Sequence, residues 1–210
     1  LLRWSDLTIV TNRVLAEYVI SLGGRAFIMP DPMPVVVTKV AAPQLRLGFN
    51  ILFVCSWAED EPYLDVMRAA NLLDNDVSIY ITGNSRNREK GLSEGLSTNV
   101  VLTGFVSEGE YLALLDACDA VMVLTRRDDC MLCGAYEAVA AGKPLVLSGS
   151  EVLRYYFDSG CVYTTNDIDD IARAIATLKE NYQVLQKDVR HLHGDKLKEN
   201  EKLLSELEVM

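Results

Sequence analysis

Four short runs in this chain are almost wholly apolar: Asn50 to Ser56 (NILFVCS), Val77 to Thr82 (VSIYIT), Ala120 to Leu124 (AVMVL) and Pro144 to Leu147 (PLVL). A strand with one wet face alternates polar and apolar residues, so a run apolar at nearly every position needs cover on both faces. Stretches of helical period separate these runs: Tyr63 to Leu73, Glu108 to Ala117, and a helix opening near Leu132 or Cys133. Val100 to Thr103 and Cys161 to Tyr163 add two shorter strands, Val152 to Phe157 a short helix, and Ile168 to Leu178 an amphipathic one. Strands alternating with helices predict an α/β fold, a Rossmann-like parallel sheet with helices on both faces, from about Asn50 onward. Such sheets bind ligands outside the C-terminal ends of their strands. Four loops should therefore converge on one crevice: Ser56-Trp57, Gly83-Asn84, Gly104 to Val106, and Asp128 to Gly134.

Before this sheet lies a smaller unit. Asp6 to Thr11 (DLTIVT) reads as a strand, Asn12 to Leu22 as a helix stopped by Gly23-Gly24, and Ala26 to Met29 as a second strand. Pro30 to Pro34 (PDPMP) then places three prolines in five residues, which forbids regular structure and marks a linker that Val35 to Leu47 extends. The division expected is residues 1–34, residues 35–180 as the main domain, and a helical tail over 181–210 with a break near Gly194. No solenoid-length repeat is present.

Composition narrows the function. Thirty acidic residues against 20 Lys and Arg leave a net charge of −10. Phosphate neutralisation along a nucleic acid wants a basic face, so no nucleic-acid partner is expected. No apolar run approaches the roughly 18 residues of a membrane-spanning helix, and LLRWSDLTIV lacks the layout of a signal peptide, so the expectation is a cytoplasmic protein without a transmembrane segment. Five cysteines, an odd number scattered among apolar residues, argue against a disulfide framework. Cys130 and Cys133 make a single CxxC with no second pair, and His191 and His193 lie far off in the tail, so packed thiols are expected and no metal site.

The segment Asp128 to Ser148 (DDCMLCGAYEAVAAGKPLVLS) carries the chemistry. A helix beginning near Leu132 or Cys133 leaves its first amides without internal partners and carries partial positive charge there, which suits a phosphate. Glu137 falls on the same helix face as Cys133 and Gly134. If partly buried, its carboxylate needs donors such as sugar hydroxyls to offset desolvation. Amides for phosphate and an acceptor for hydroxyls point to a nucleotide. Taken alone, Asp129 and Glu137 are equally a solvated loop aspartate and a helix-surface glutamate.

The surrounding residues resemble the C-terminal half of a GT-B glycosyltransferase of family 4, whose signature is two glutamates separated by seven residues around a Gly-rich helix start. Asp129 and Glu137 hold those two positions, and GAYEAVAAGKPLVLS is similar to the family's helix, Gly-x-Pro turn and strand. The resemblance extends through ILFVCSW, IYITGN, VVLTGFVSEGEYLALLDACDAVMVLT and SEVLRYYF, most of Asn50 to Thr164. It implies one half of a GT-B architecture, with residues 1–34 as the end of an N-terminal Rossmann-like domain otherwise missing. It also implies a retaining transferase that moves a sugar from a nucleotide-sugar donor to a saccharide or lipid-linked acceptor, with no cofactor or metal. Such an enzyme would work in polysaccharide or glycolipid biosynthesis, and a lipid acceptor would bring it to the inner membrane periphery.

By the same resemblance Glu137 accepts hydrogen bonds from ribose hydroxyls. The amides from Met131 through Leu132 and Cys133 to Gly134 hold the diphosphate or sugar, and Phe105 and Val106 flank the base. Asp129 contacts the transferred sugar and stabilises positive charge at its anomeric carbon. By their place at strand ends, Gly83, Asn84, Ser56 and Trp57 also line the donor site, with Gly83-Asn84 equally a strand-ending turn and Trp57 either a cap on the crevice or a packed residue. Two departures stand out. Asp129 is one methylene shorter than the family's glutamate, and where members carry Arg and Lys after the domain's first strand this chain has Trp57-Ala58-Glu59-Asp60-Glu61. Arg86, Arg88 or Arg126 would then have to neutralise the diphosphate. Two other readings stay open: a non-catalytic nucleotide-binding or interaction domain of degenerate GT-B type, and a sugar-nucleotide epimerase.

Overall fold

The computed structural model describes residues 2–85 and 96–209. The first unit is a parallel pair, β1 (Thr8–Val10) and β2 (Ala26–Ile28), joined by α1 (Arg13–Ser21). Asn12 caps α1, its side chain accepting from the Leu15 amide. No regular element forms between β2 and β3, as the prolines require.

The main domain is a six-stranded, all-parallel sheet. Its strands are β3 (Phe49–Phe53), β4 (Val77–Thr82), β5 (Val100–Gly104), β6 (Ala120–Val123), β7 (Leu145–Ser148) and β8 (Cys161–Thr164), in the spatial order β5-β4-β3-β6-β7-β8. The connecting helices are α2 (Tyr63–Ala69), α3 (Glu108–Ala117), α4 (Cys133–Ala140), α5 (Glu151–Tyr156) and α6 (Ile168–Glu180). Period-two alternation sends successive strand residues to opposite faces. Ile51, Phe53, Ile79, Ile81 and Met122 meet α2 and α6 in one core. Leu52, Tyr80, Val121, Val123, Leu145 and Leu147 meet α3, α4 and α5 in the other. Burial on both sides is why these strands read as unbroken apolar runs.

The tail departs from expectation. α7 (Tyr182–Glu208) runs unbroken through Gly194, where an added Cβ would meet nothing within 4 Å. A lone helix-interior glycine costs about 1 kcal/mol relative to alanine, and α7 absorbs this by packing Val189 and Leu192 against the core that holds α4.

The strand order places the topological switch between β3 and β6. Loops leaving neighbouring parallel strands diverge there to opposite faces and open a crevice. The four loops singled out in the sequence leave β5, β4, β3 and β6, which are adjacent strands.

Candidate functional site

α4 forms one wall of the crevice. Its first turn lies against the ends of β3 and β6, and Gly134 permits the approach: a Cβ there would stand 3.1 Å from Val54 Cγ1 and 3.3 Å from Val123 Cγ2. The helix begins at Cys133, as the sequence predicts, with Leu132 at the N-cap and no side chain capping the first amides. Its N-terminal partial charge is therefore open to a ligand. Met131 and Leu132 are half-buried and Gly134 is buried. Cys133, expected as a packed thiol, is exposed, and Cys130 is half-buried. Helix geometry explains the difference, since only part of a surface helix's circumference faces the core.

Glu137 is half-buried on α4, and the Tyr111 hydroxyl donates to its Oε2. Tyr111 lies on α3, where Ser107 and Glu110 form a reciprocal capping box. Burial, and then the adjacent carboxylate, push the Tyr111 phenol above its ordinary pKa, so it remains a donor. One carboxylate oxygen is thereby held in place, and further lone pairs remain for other donors. Asp129 is exposed, in the loop between β6 and α4. Its backbone carbonyl accepts a 3.0 Å hydrogen bond from Asn12 Nδ2, across 117 positions of sequence.

The opposite wall is the loop after β3. Trp57 has φ 65° and is 4 % exposed; its Nε1 donates to the Thr82 carbonyl at 2.9 Å, and its ring packs beside Tyr63. This indole is part of the core. Gly83 has φ 90°, and a Cβ there would stand 2.2 Å from the Cys55 carbonyl and 2.9 Å from the Trp57 ring, so only glycine fits between the two loops. Asn84 is exposed. Ser56 is exposed too, but its donors are engaged: Glu61 accepts from Ser56 N (3.0 Å), Ser56 Oγ (3.1 Å) and Ala58 N (2.9 Å). The carboxylate sits on the strand-end amides of this wall.

The acidic loop also holds the base of the α4 wall's loop. Asp60 accepts from Thr125 Oγ1 at 2.8 Å and pairs with Arg127 at 3.5 Å. Arg126 reaches Asp65 of α2 at 2.5 Å, so the arginine considered for the diphosphate is already paired. Arg86 and Arg88 lie outside the described residues. At the β5 end, Gly104 has φ 72° and open space where a Cβ would stand, Phe105 is 83 % exposed, and Val106 is half-buried against the core. The Phe105 ring is thus open to solvent at the strand end, whereas Val106 packs into the wall.

Sequence reasoning missed Tyr111, Asn12 and the grip of Glu61. The first two act across the fold, and no spacing rule connects them with Glu137 or Asp129. Glu61 is only five positions from Ser56, but its reach depends on the left-handed turn at Trp57.

Among the described residues there is no group of three or more His, Cys, Asp and Glu that could hold a metal ion, and no helix long and apolar enough to cross a membrane.

A family model described as "Glycosyl transferases group 1" matches residues 48–181. The chain belongs to this family. No protein of curated function matches the sequence. Among solved structures, Anabaena HepE in complex with UDP-glucose superposes with a TM-score of 0.79 at 15% identity, covering 100% of this chain and 65% of HepE. Sucrose-phosphate synthase from Thermosynechococcus elongatus gives 0.75 at 17% identity, covering 98% of this chain and 57% of the synthase. The catalytic domain of the Helicobacter pylori cholesterol-α-glucosyltransferase gives 0.58 at 18% identity over 71% of this chain and 98% of that one. The sheet and its helices match the Rossmann-like half of a GT-B glycosyltransferase, and the chain spans about 65% of the length of HepE.

Proposed function

We propose that this chain is the donor-binding part of a retaining glycosyltransferase that takes a nucleotide-sugar and transfers its sugar to a saccharide or lipid-linked acceptor. The observation that carries this reading is the uncapped start of α4 beside Glu137, on the wall of the switch-point crevice. The relatives add weight, since HepE was solved with UDP-glucose. The α4 amides face the diphosphate, and Glu137, steadied by Tyr111, accepts from the ribose hydroxyls. Phe105 offers its exposed ring to the base. As the bond from the anomeric carbon to the phosphate oxygen breaks, negative charge grows on the leaving diphosphate and positive charge on the sugar. Amide dipoles fixed at the leaving group stabilise the transition state more than the ground state, and the Asp129 carboxylate faces the sugar's developing charge. No cofactor enters this scheme. The acceptor side belongs to an N-terminal domain of which residues 1–34 are the end, and a lipid-linked acceptor would place the enzyme at the cytoplasmic face of the inner membrane.

The test is calorimetry of the chain with UDP, GDP and ADP and with the glucose ester of each. Micromolar to millimolar binding of one pair is expected; no heat with any of the six overturns the reading.

A second reading, a binding domain of degenerate type, is favoured by one specific observation. Glu61 already fills the amides of the β3 loop, where the resemblance implies an arginine and a lysine for the diphosphate. A donor-hydrolysis assay on the longest natural form separates the two, because a degenerate domain gives no rate above background.

A further inference from the structure

We infer that Asn12, in the unit that precedes the main domain, is a positioning residue for the sugar end of the donor site. The inference rests on the donor-site reading above. Asn12 is 7 % exposed and uses both ends of its amide: Oδ1 accepts from the Leu15 amide at 3.0 Å and Nδ2 donates to the Asp129 carbonyl at 3.0 Å. The first bond caps α1. The second has no part in α1 and reaches the loop on which the Asp129 carboxylate rides.

That loop is held from two sides. At its beginning, Ser148 Oγ accepts from the Thr125 amide and Asn166 Nδ2 donates to the Thr125 carbonyl, both at 2.9 Å. Those anchors belong to the main domain. Four residues further on, the Asn12 amide fixes the Asp129 backbone from the first unit. That unit is itself seated by an ion pair between Arg13 and Glu151 of α5. A cavity of about 250 Å³ lies between the two bodies, with Thr11, Asn12 and Arg13 on one side and Met131, Glu151 and Val152 on the other, so both contacts stand at its edge. The described contacts at Asp129 therefore make its place depend on how residues 1–34 dock, whereas the α4 amides are placed by Gly134 packing on Val54 and Val123. Diphosphate and sugar would be held by separately anchored parts of one site.

The two functions of Asn12 can be separated chemically. Serine and aspartate cap helices about as well as asparagine, but neither has an amide N–H to give to Asp129. Asn12→Asp and Asn12→Ser are made in the 210-residue chain, and affinities are measured for UDP, GDP and ADP and for the glucose ester of each. Loss of one buried hydrogen bond corresponds to up to about tenfold in affinity. We expect both variants to melt somewhat below the wild type, because a buried hydrogen bond is lost, to lose up to about tenfold for the glucose ester that the wild type binds, and to lose less than about twofold for its free diphosphate. Equal losses for the two ligands, or none, overturn the role of Asn12 while leaving the donor site standing. A lowered melting point with unchanged affinity for the glucose ester assigns Asn12 to the fold alone and also overturns it. Absence of binding by the wild type is seen before any substitution is made, and it removes the donor site together with the role of Asn12.

Discussion

The two walls of the crevice are built alike and finished differently. Each presents backbone amides at the end of a buried parallel strand, and each depends on a glycine for a close approach, Gly134 in one and Gly83 in the other. On the α4 wall no side chain caps the amides, and the nearby glutamate is held by a tyrosine from another helix. On the β3 wall the amides of Ser56 and Ala58 are satisfied by Glu61 of the same loop. Strand-end amides at a switch point are thus a capacity, and the side chain that folds back decides whether a ligand can use it.

The comparison can be broken most severely at Gly83. Alanine there must either move the Cys55 carbonyl or abandon φ 90°. Gly83→Ala should lower stability by about 3 kcal/mol, read as a shifted urea midpoint. An unchanged midpoint would mean that the β3 wall is not held by this contact. Next in size is the α4 wall. Glu137→Ala should cost about 2 kcal/mol of nucleotide binding, roughly thirtyfold, and Tyr111→Phe about 1 kcal/mol, because the carboxylate stays but loses its tether. Calorimetry on the pair checks the order; an equal loss in both would make Tyr111 a direct ligand.

Glu61→Gln sharpens the contrast in the other direction. It removes the charge from the β3 wall and should raise affinity for a nucleoside diphosphate by about threefold. No gain would show that this wall lies outside the phosphate's reach. The smallest effect is expected at Asp170, which accepts from the Thr165 amide and pairs with Arg173, interactions that lower its pKa to about 2. A depressed carboxyl contributes stability above its unfolded value near 3.9, and that stability is lost as pH falls toward about 2. With its side chain 26% exposed, the loss should stay under about 1 kcal/mol and be absent in Asp170→Asn. Acid titration followed by circular dichroism checks it.

Much of this architecture was legible from residue order. Strand and helix positions followed from apolar runs and their spacing, because a core on both faces leaves no freedom at Ile51, Phe53 or Val121. The helix start at Cys133 followed from glycine and small residues after a loop. Illegible features came from distance or from backbone conformation. The tail offered a glycine that looked like a break, yet packing at Val189 and Leu192 carried α7 past it.

The sequence by itself determined the α/β class, the parallel sheet and the residue types at the start of α4, since each follows from local pattern and burial. Only the tertiary structure decided which of those groups are open. Tyr111 on Glu137, Asn12 on Asp129 and Glu61 on Ser56 are hydrogen bonds between groups that local pattern does not pair. A hydrogen bond depends on ångström-scale placement, and that placement exists only after the helices have docked and the loop at Trp57 has turned.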